Sequence, residues 1–110
     1  MKVAFFFKFY RMHIWEINEL KKQIGIIMLL NRLRLNLSQF LVANELNLSA
    51  NQIGRIERAE TNPTLSILLK LSNFYSVELS DLFVKITESK VSEFLAEIEK
   101  LKEQNKKLSD

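Results

Sequence analysis

The chain has 110 residues, with 16 Lys and Arg against 13 Asp and Glu, one His, two Gly, one Pro and no Cys. That length suits one small domain with an accompanying helix, and 47% hydrophobic residues are enough for a core, which excludes wholesale disorder. Without cysteine there are no disulfides, thiolate nucleophiles or Cys-rich zinc sites. A lone His13 leaves no His-based metal site or catalytic triad, and Gly25 and Gly54 stand too far apart for a phosphate-binding loop. A non-enzymatic binding module is expected, with no metal and no cofactor.

The net charge of +3 permits a nucleic-acid partner without demanding one. The basic excess lies in residues 1–23, residues 24–86 are nearly neutral, and residues 87–110 are slightly acidic. The chain therefore divides into an aromatic, basic extension (1–23), a central domain (24–86) and a terminal helix (87–110). Residues 1–15 hold six aromatics, but their longest apolar run, 3–7, is too short for a signal segment. The apolar run 24–30 is far short of the ~20 residues that span a bilayer. A cytoplasmic protein without a membrane span is expected.

Gly and Pro punctuation is sparse, so an all-α chain is expected, with helices at 14–35, 39–46, 50–58, 64–75, 79–85 and 88–108. Ser38 and Ser49 sit where helix N-caps are needed. Gln52 lies three residues after Ser49, which predicts a capping box. Thr64, after Asn62-Pro63, caps the next helix. Asn47 tolerates the left-handed conformation that a tight turn between the second and third helices requires. Two short helices joined this way form a helix-turn-helix candidate.

Leu37-Ser38-Gln39, Val42-Ala43, Leu46, Leu48-Ser49, Ile53, Arg55-Ile56-Glu57-Arg58, Asn62-Pro63, Leu65, Leu69 and Leu82-Phe83 fall in one ungapped register. Over residues 24–83 this pattern closely resembles the phage-repressor/Cro-type helix-turn-helix domain, the XRE family. The resemblance implies a five-helix lambda-repressor-like domain whose third helix, around 50–58, enters the major groove of double-stranded DNA. Ala43 suits a close helix crossing. Val42, Leu46, Leu48, Ile53, Ile56, Leu65, Leu69, Leu82 and Phe83 are expected to form the core, each large one contributing about 1.5–3 kcal/mol when buried.

The chain departs from that pattern at several points. Asn47 and Ala59 stand where the family usually has glycine, and Glu60 stands where a phosphate-facing loop often carries a base. Gly54, inside the third helix, costs roughly 1 kcal/mol relative to alanine. Ser72 and Tyr75 replace apolar core types. Ile26, Ile27, Leu30, Leu33 and Leu35 make the first helix unusually apolar. The aromatic amino end, the last helix or a second subunit must cover it.

In the family register Ser49, Ala50, Asn51 and Arg55 lie on the exposed face and amino-terminal half of the third helix. Asn can bond an adenine edge and Arg a guanine edge. Gln39 and Arg58 are expected to hold phosphates. Gln52 ranks lower because the capping box consumes it. The register also implies a structural ion pair between Arg32 and Glu57.

Val91, Ile98 and Asn105 fall at successive a positions of a heptad, and Phe94, Leu101 and Leu108 at d positions. This coiled-coil-like extra helix is expected to dimerise the protein, although Leu95 widens the stripe in a way that also suits a helix folded back on its own domain. The function expected is a sequence-specific DNA-binding transcriptional regulator, a repressor acting as a homodimer. The alternative is a protein–protein interaction adaptor on the same fold, with the terminal helix as its docking surface.

Overall fold

The computed structural model describes residues 13–109, with side chains as far as Lys106. Residues 1–12 and the side chain of Leu108 lie outside the described residues. The elements are α1 (Ile17–Arg34), α2 (Gln39–Leu46), α3 (Ala50–Glu57), α4 (Leu65–Tyr75), a short 3-10 turn (Leu79–Leu82) and α5 (Glu88–Ser109). No strand occurs among the described residues.

Local chemistry sets most of the boundaries. The Ser38 hydroxyl accepts from the Leu41 amide, and the Thr64 hydroxyl from the Ile67 amide. Ser49 and Gln52 exchange both bonds of a capping box, at 3.1 and 2.8 Å. Asn47 closes α2 in the left-handed region, at φ 57°. Two expected helices are shorter than their patterns. α1 begins at Ile17 instead of 14, after residues without regular structure in which the Trp15 indole donates to the Phe83 carbonyl at 3.1 Å. The expected helix 79–85 is one 3-10 turn ending at Leu82. Beyond it the Gln23 side chain clasps the chain, donating to the carbonyls of Leu82 and Val84 and accepting from the Ile86 amide. The boundary drawn between residues 23 and 24 falls inside α1, and Gln23 is buried there.

The main core gathers Ile24, Ile27, Met28, Val42, Ala43, Ile53, Ile56, Leu68, Leu71, Tyr75 and Leu82, with Leu37, Leu46 and Leu48 packed against it. Three expected core residues are outside it: Leu65 is 75% exposed, Leu69 49% and Phe83 38%. α4 turns the i, i+3, i+4, i+7 set Leu68, Leu71, Ser72 and Tyr75 inward instead, which carries Leu69 to the flank and leaves Leu65 at the open first turn.

A second, smaller core forms where α5 lies on α1. Leu30, Leu33 and Ile98 are buried, flanked by Ile26, Leu29, Phe94 and Leu101. Arg34 and Glu97 join the two helices by paired bonds at 2.6 and 2.9 Å, and Asn105 donates from Nδ2 to the Leu33 carbonyl at 3.4 Å. The stripe of Phe94, Ile98, Leu101 and Asn105, expected to meet a second copy, is thus occupied by α1 of the same chain. Val91 is half-buried at its amino end. The reason lies in α1: its apolar residues need cover, and the linker 83–87 delivers α5 directly onto them.

Candidate nucleic-acid interface

α2 and α3 are positioned on α1 by two close approaches. A Cβ on Gly25 would stand 2.7 Å from the Glu57 carbonyl oxygen and 2.8 Å from that of Ile56, so α1 can touch the end of α3 only through a glycine. Beside this contact the Arg32 guanidinium grips the Glu57 carboxylate, Nε to Oε2 at 2.6 Å and Nη2 to Oε1 at 2.9 Å. Both side chains are largely buried, 11% and 4% exposed. Arg32 also donates to the Leu37 carbonyl at 2.8 Å, fixing the turn that enters α2.

Gln39, at the first position of α2, donates from Nε2 to Glu57 Oε1 at 3.0 Å. Its amide is therefore oriented from below by the same carboxylate that Arg32 holds. Gly54 makes room for this arrangement. A Cβ there would stand 2.8 Å from an Arg58 guanidinium nitrogen and 3.3 Å from both polar atoms of the Gln39 amide. The glycine inside α3 thus lets Gln39 and Arg58 converge over the helix surface.

Ser49, Asn51 and Arg55 are exposed and Ala50 is half-buried, all on α3 or at its N-cap. Asn51 makes no side-chain hydrogen bond within the described residues, whereas Gln52 is engaged in its capping box. Arg55 is turned back along the surface, with Nη2 3.5 Å from the Glu60 carbonyl, and lines a recess of about 210 Å³ with Gln52, Thr61, Asn62 and Thr64. Arg58 is held by Glu60 through two bonds, at 2.9 and 3.2 Å. That hydrogen bonding keeps the Glu60 carboxyl below its ordinary pKa and raises that of Arg58. One of the two basic side chains on this face is therefore locally neutralised. Glu60 enters after Ala59, whose φ of 60° turns the chain out of α3.

A family model described as helix-turn-helix matches residues 30–82, which takes in the end of α1, both short helices, their turn, α4 and the 3-10 turn. Residues 30–82 are a helix-turn-helix domain of the Cro/repressor type. With α1 to α4 and the 3-10 turn as its five helical segments, the domain has the lambda-repressor-like fold, and α5 is an addition to it. A helix-turn-helix domain of this kind makes the protein a DNA-binding transcription regulator; the family is regulatory, not enzymatic. No curated protein and no solved structure matches the chain. Among the described residues no single helix is long and apolar enough to cross a membrane, and no group of His, Asp or Glu stands together as a metal site.

Reasoning from the sequence missed Gly25, Gln23 and the Arg34–Glu97 pair. A glycine in mid-helix was the available signal for the first, since it costs helix stability unless a close contact needs it. Nothing local marks the other two, whose partners lie about 60 residues away along the chain.

Proposed function

We infer that the protein is a sequence-specific transcriptional repressor that binds double-stranded DNA as a homodimer, each copy laying α3 in the major groove. The observation that carries this reading is the exposed face of α3. Asn51 is unengaged, Arg55 lies on the surface, and Gln39 and Arg58 flank them, with Gln39 anchored from beneath by the largely buried Arg32–Glu57 pair. Asn51 and Arg55 are the base-reading candidates. Gln39, Arg58 and the Ser49–Ala50 backbone at the start of α3 are the phosphate-holding ones.

Repression needs only occupancy of the site, which a small domain supplies by itself. Pairing is favoured by charge and size: a nearly neutral domain with one eight-residue reading helix makes few contacts alone, and two copies double them. The half-sites then lie about one helical turn, ~34 Å, apart in a palindrome. The second copy meets a surface other than the α5 stripe, which α1 covers.

Selection of bound sequences from a random DNA pool, followed by an ionic-strength series on the selected site, tests the reading. A palindrome bound by two copies, with affinity falling as salt rises, is expected. Failure to enrich any sequence would overturn it in favour of the adaptor role.

A further inference from the structure

Away from α3, a cleft of about 470 Å³ opens between α1, the segment joining α4 to the 3-10 turn, and the start of α5. Ile27 and Leu30 line it from α1, Val77 and Val84 from the loops, and Phe94 from α5. This volume is in the range that holds small organic ligands, about 300–1,000 Å³.

The polar groups around the lining are unbalanced. Arg34, the one base among them, is engaged by Glu97 in a two-bond pair. The carboxylates of Glu78 and Asp81 are exposed and join no ion pair among the described residues. Asn31 spends its Nδ2 on the Ile27 carbonyl at 2.8 Å, which leaves its Oδ1 as an acceptor beside the cleft. The site thus offers an apolar lining, two uncompensated negative charges and a free acceptor, and its one cation is already paired. A ligand that satisfies all of these brings an apolar body and a positively charged hydrogen-bond donor.

We propose that this cleft binds a small amphipathic organic ammonium ion, its apolar body against Val77, Val84 and Phe94 and its ammonium against Glu78 and Asp81. An anion of the same shape meets repulsion at the rim, and a neutral one leaves the carboxylates unpartnered. The bound cation touches α1, the 3-10 turn and α5 together, so it clamps α5 onto the domain. The site stands apart from α3, and its test needs no DNA.

The test is an NMR titration of the full chain with three matched probes: phenethylammonium, 2-phenylethanol and phenylacetate. The cation should shift the amide signals of Val77, Val84 and Phe94 saturably and bind about tenfold more tightly than the alcohol, with the anion weakest. Tenfold corresponds to about 1.4 kcal/mol, in keeping with two exposed charge contacts. The double variant Glu78→Gln/Asp81→Asn should lose that advantage while leaving alcohol binding unchanged; both side chains are exposed, so the fold tolerates the change. Equal binding of cation and alcohol, shifts confined to other surfaces, or no saturable shift at millimolar probe would each overturn the proposal.

Discussion

Arg32 and Glu57 meet through two parallel hydrogen bonds at 2.6 and 2.9 Å, tying the last turn of α1 to the last residue of α3. Because both side chains are largely buried, removing either strands the other charge. Arg32→Ala or Glu57→Ala should each cost about 3–5 kcal/mol of stability in denaturant unfolding. A double variant with apolar residues of similar volume should lose much less than the sum of the two. Losses below about 1 kcal/mol in the single variants would mean that water screens the pair as it does a surface one.

On the face of α3 proposed to meet DNA the two arginines should separate by role. Arg55→Ala should relax discrimination at one base pair by about 1–3 kcal/mol, whereas Arg58→Ala should weaken binding to all sequences alike. Glu60 now occupies Arg58, so Glu60→Gln should raise affinity for every sequence and steepen the salt dependence by about 0.9 in logarithmic slope, one phosphate contact's worth. Binding isotherms at several salt concentrations measure all three. An unchanged slope in both the Arg58 and the Glu60 variants would show that Arg58 does not reach a phosphate.

Ala59 holds φ at 60°, a conformation that an L side chain adopts with strain of about 1–2 kcal/mol. Ala59→Gly removes that strain but frees the unfolded chain, at a cost of about 0.4–1 kcal/mol. The net expectation is a stabilisation on the order of 0.5–1 kcal/mol in thermal or denaturant unfolding, with DNA binding unaffected.

The two glycines should respond differently to alanine. In Gly25→Ala the added methyl meets backbone oxygens at 2.7 and 2.8 Å, which cannot rotate away, so α1 and α3 must part. A loss of about 1–3 kcal/mol is expected, outweighing the roughly 1 kcal/mol gained in helix propensity. In Gly54→Ala the nearest atom is the mobile tip of Arg58, so stability should stay within about 1 kcal/mol of the parent. DNA affinity should nonetheless fall, because Gln39 and Arg58 are displaced.

Docking of α5 should depend on one buried side chain and one ion pair. Ile98→Ala, at a site 3% exposed, should cost about 2–4 kcal/mol without altering the oligomeric state seen in sedimentation. The Arg34 hydrogen bonds hold the Glu97 carboxyl below its ordinary pKa. A depressed carboxylate contributes stability that is fully present above its unfolded-state pKa and is lost as pH falls through the lower folded value. Hydrogen exchange in α5 should therefore quicken as pH drops below the ordinary carboxylate value of 4.5, once corrected for intrinsic rates. Arg34→Gln should abolish the part of that dependence that comes from Glu97.

The sequence by itself determined the helical class, the caps at Ser38, Ser49 and Thr64, and the left-handed turn at Asn47, because each rests on interactions within a few residues. Its patterning also places Asn51 and Arg55 on α3, and the family resemblance implies the pairing of Arg32 with Glu57, but burial and bidentate geometry belong to the packed helices. Only the tertiary structure decided which leucines of α4 turn inward, since Leu65, Leu68, Leu69 and Leu71 offer two overlapping apolar stripes and the angle of α4 against α1 selects one. It likewise decided what α5 covers. A stripe such as Phe94, Ile98 and Leu101 states that an apolar partner is required; whether that partner is a second copy or Leu30 and Leu33 of α1 depends on a linker path that no local pattern encodes.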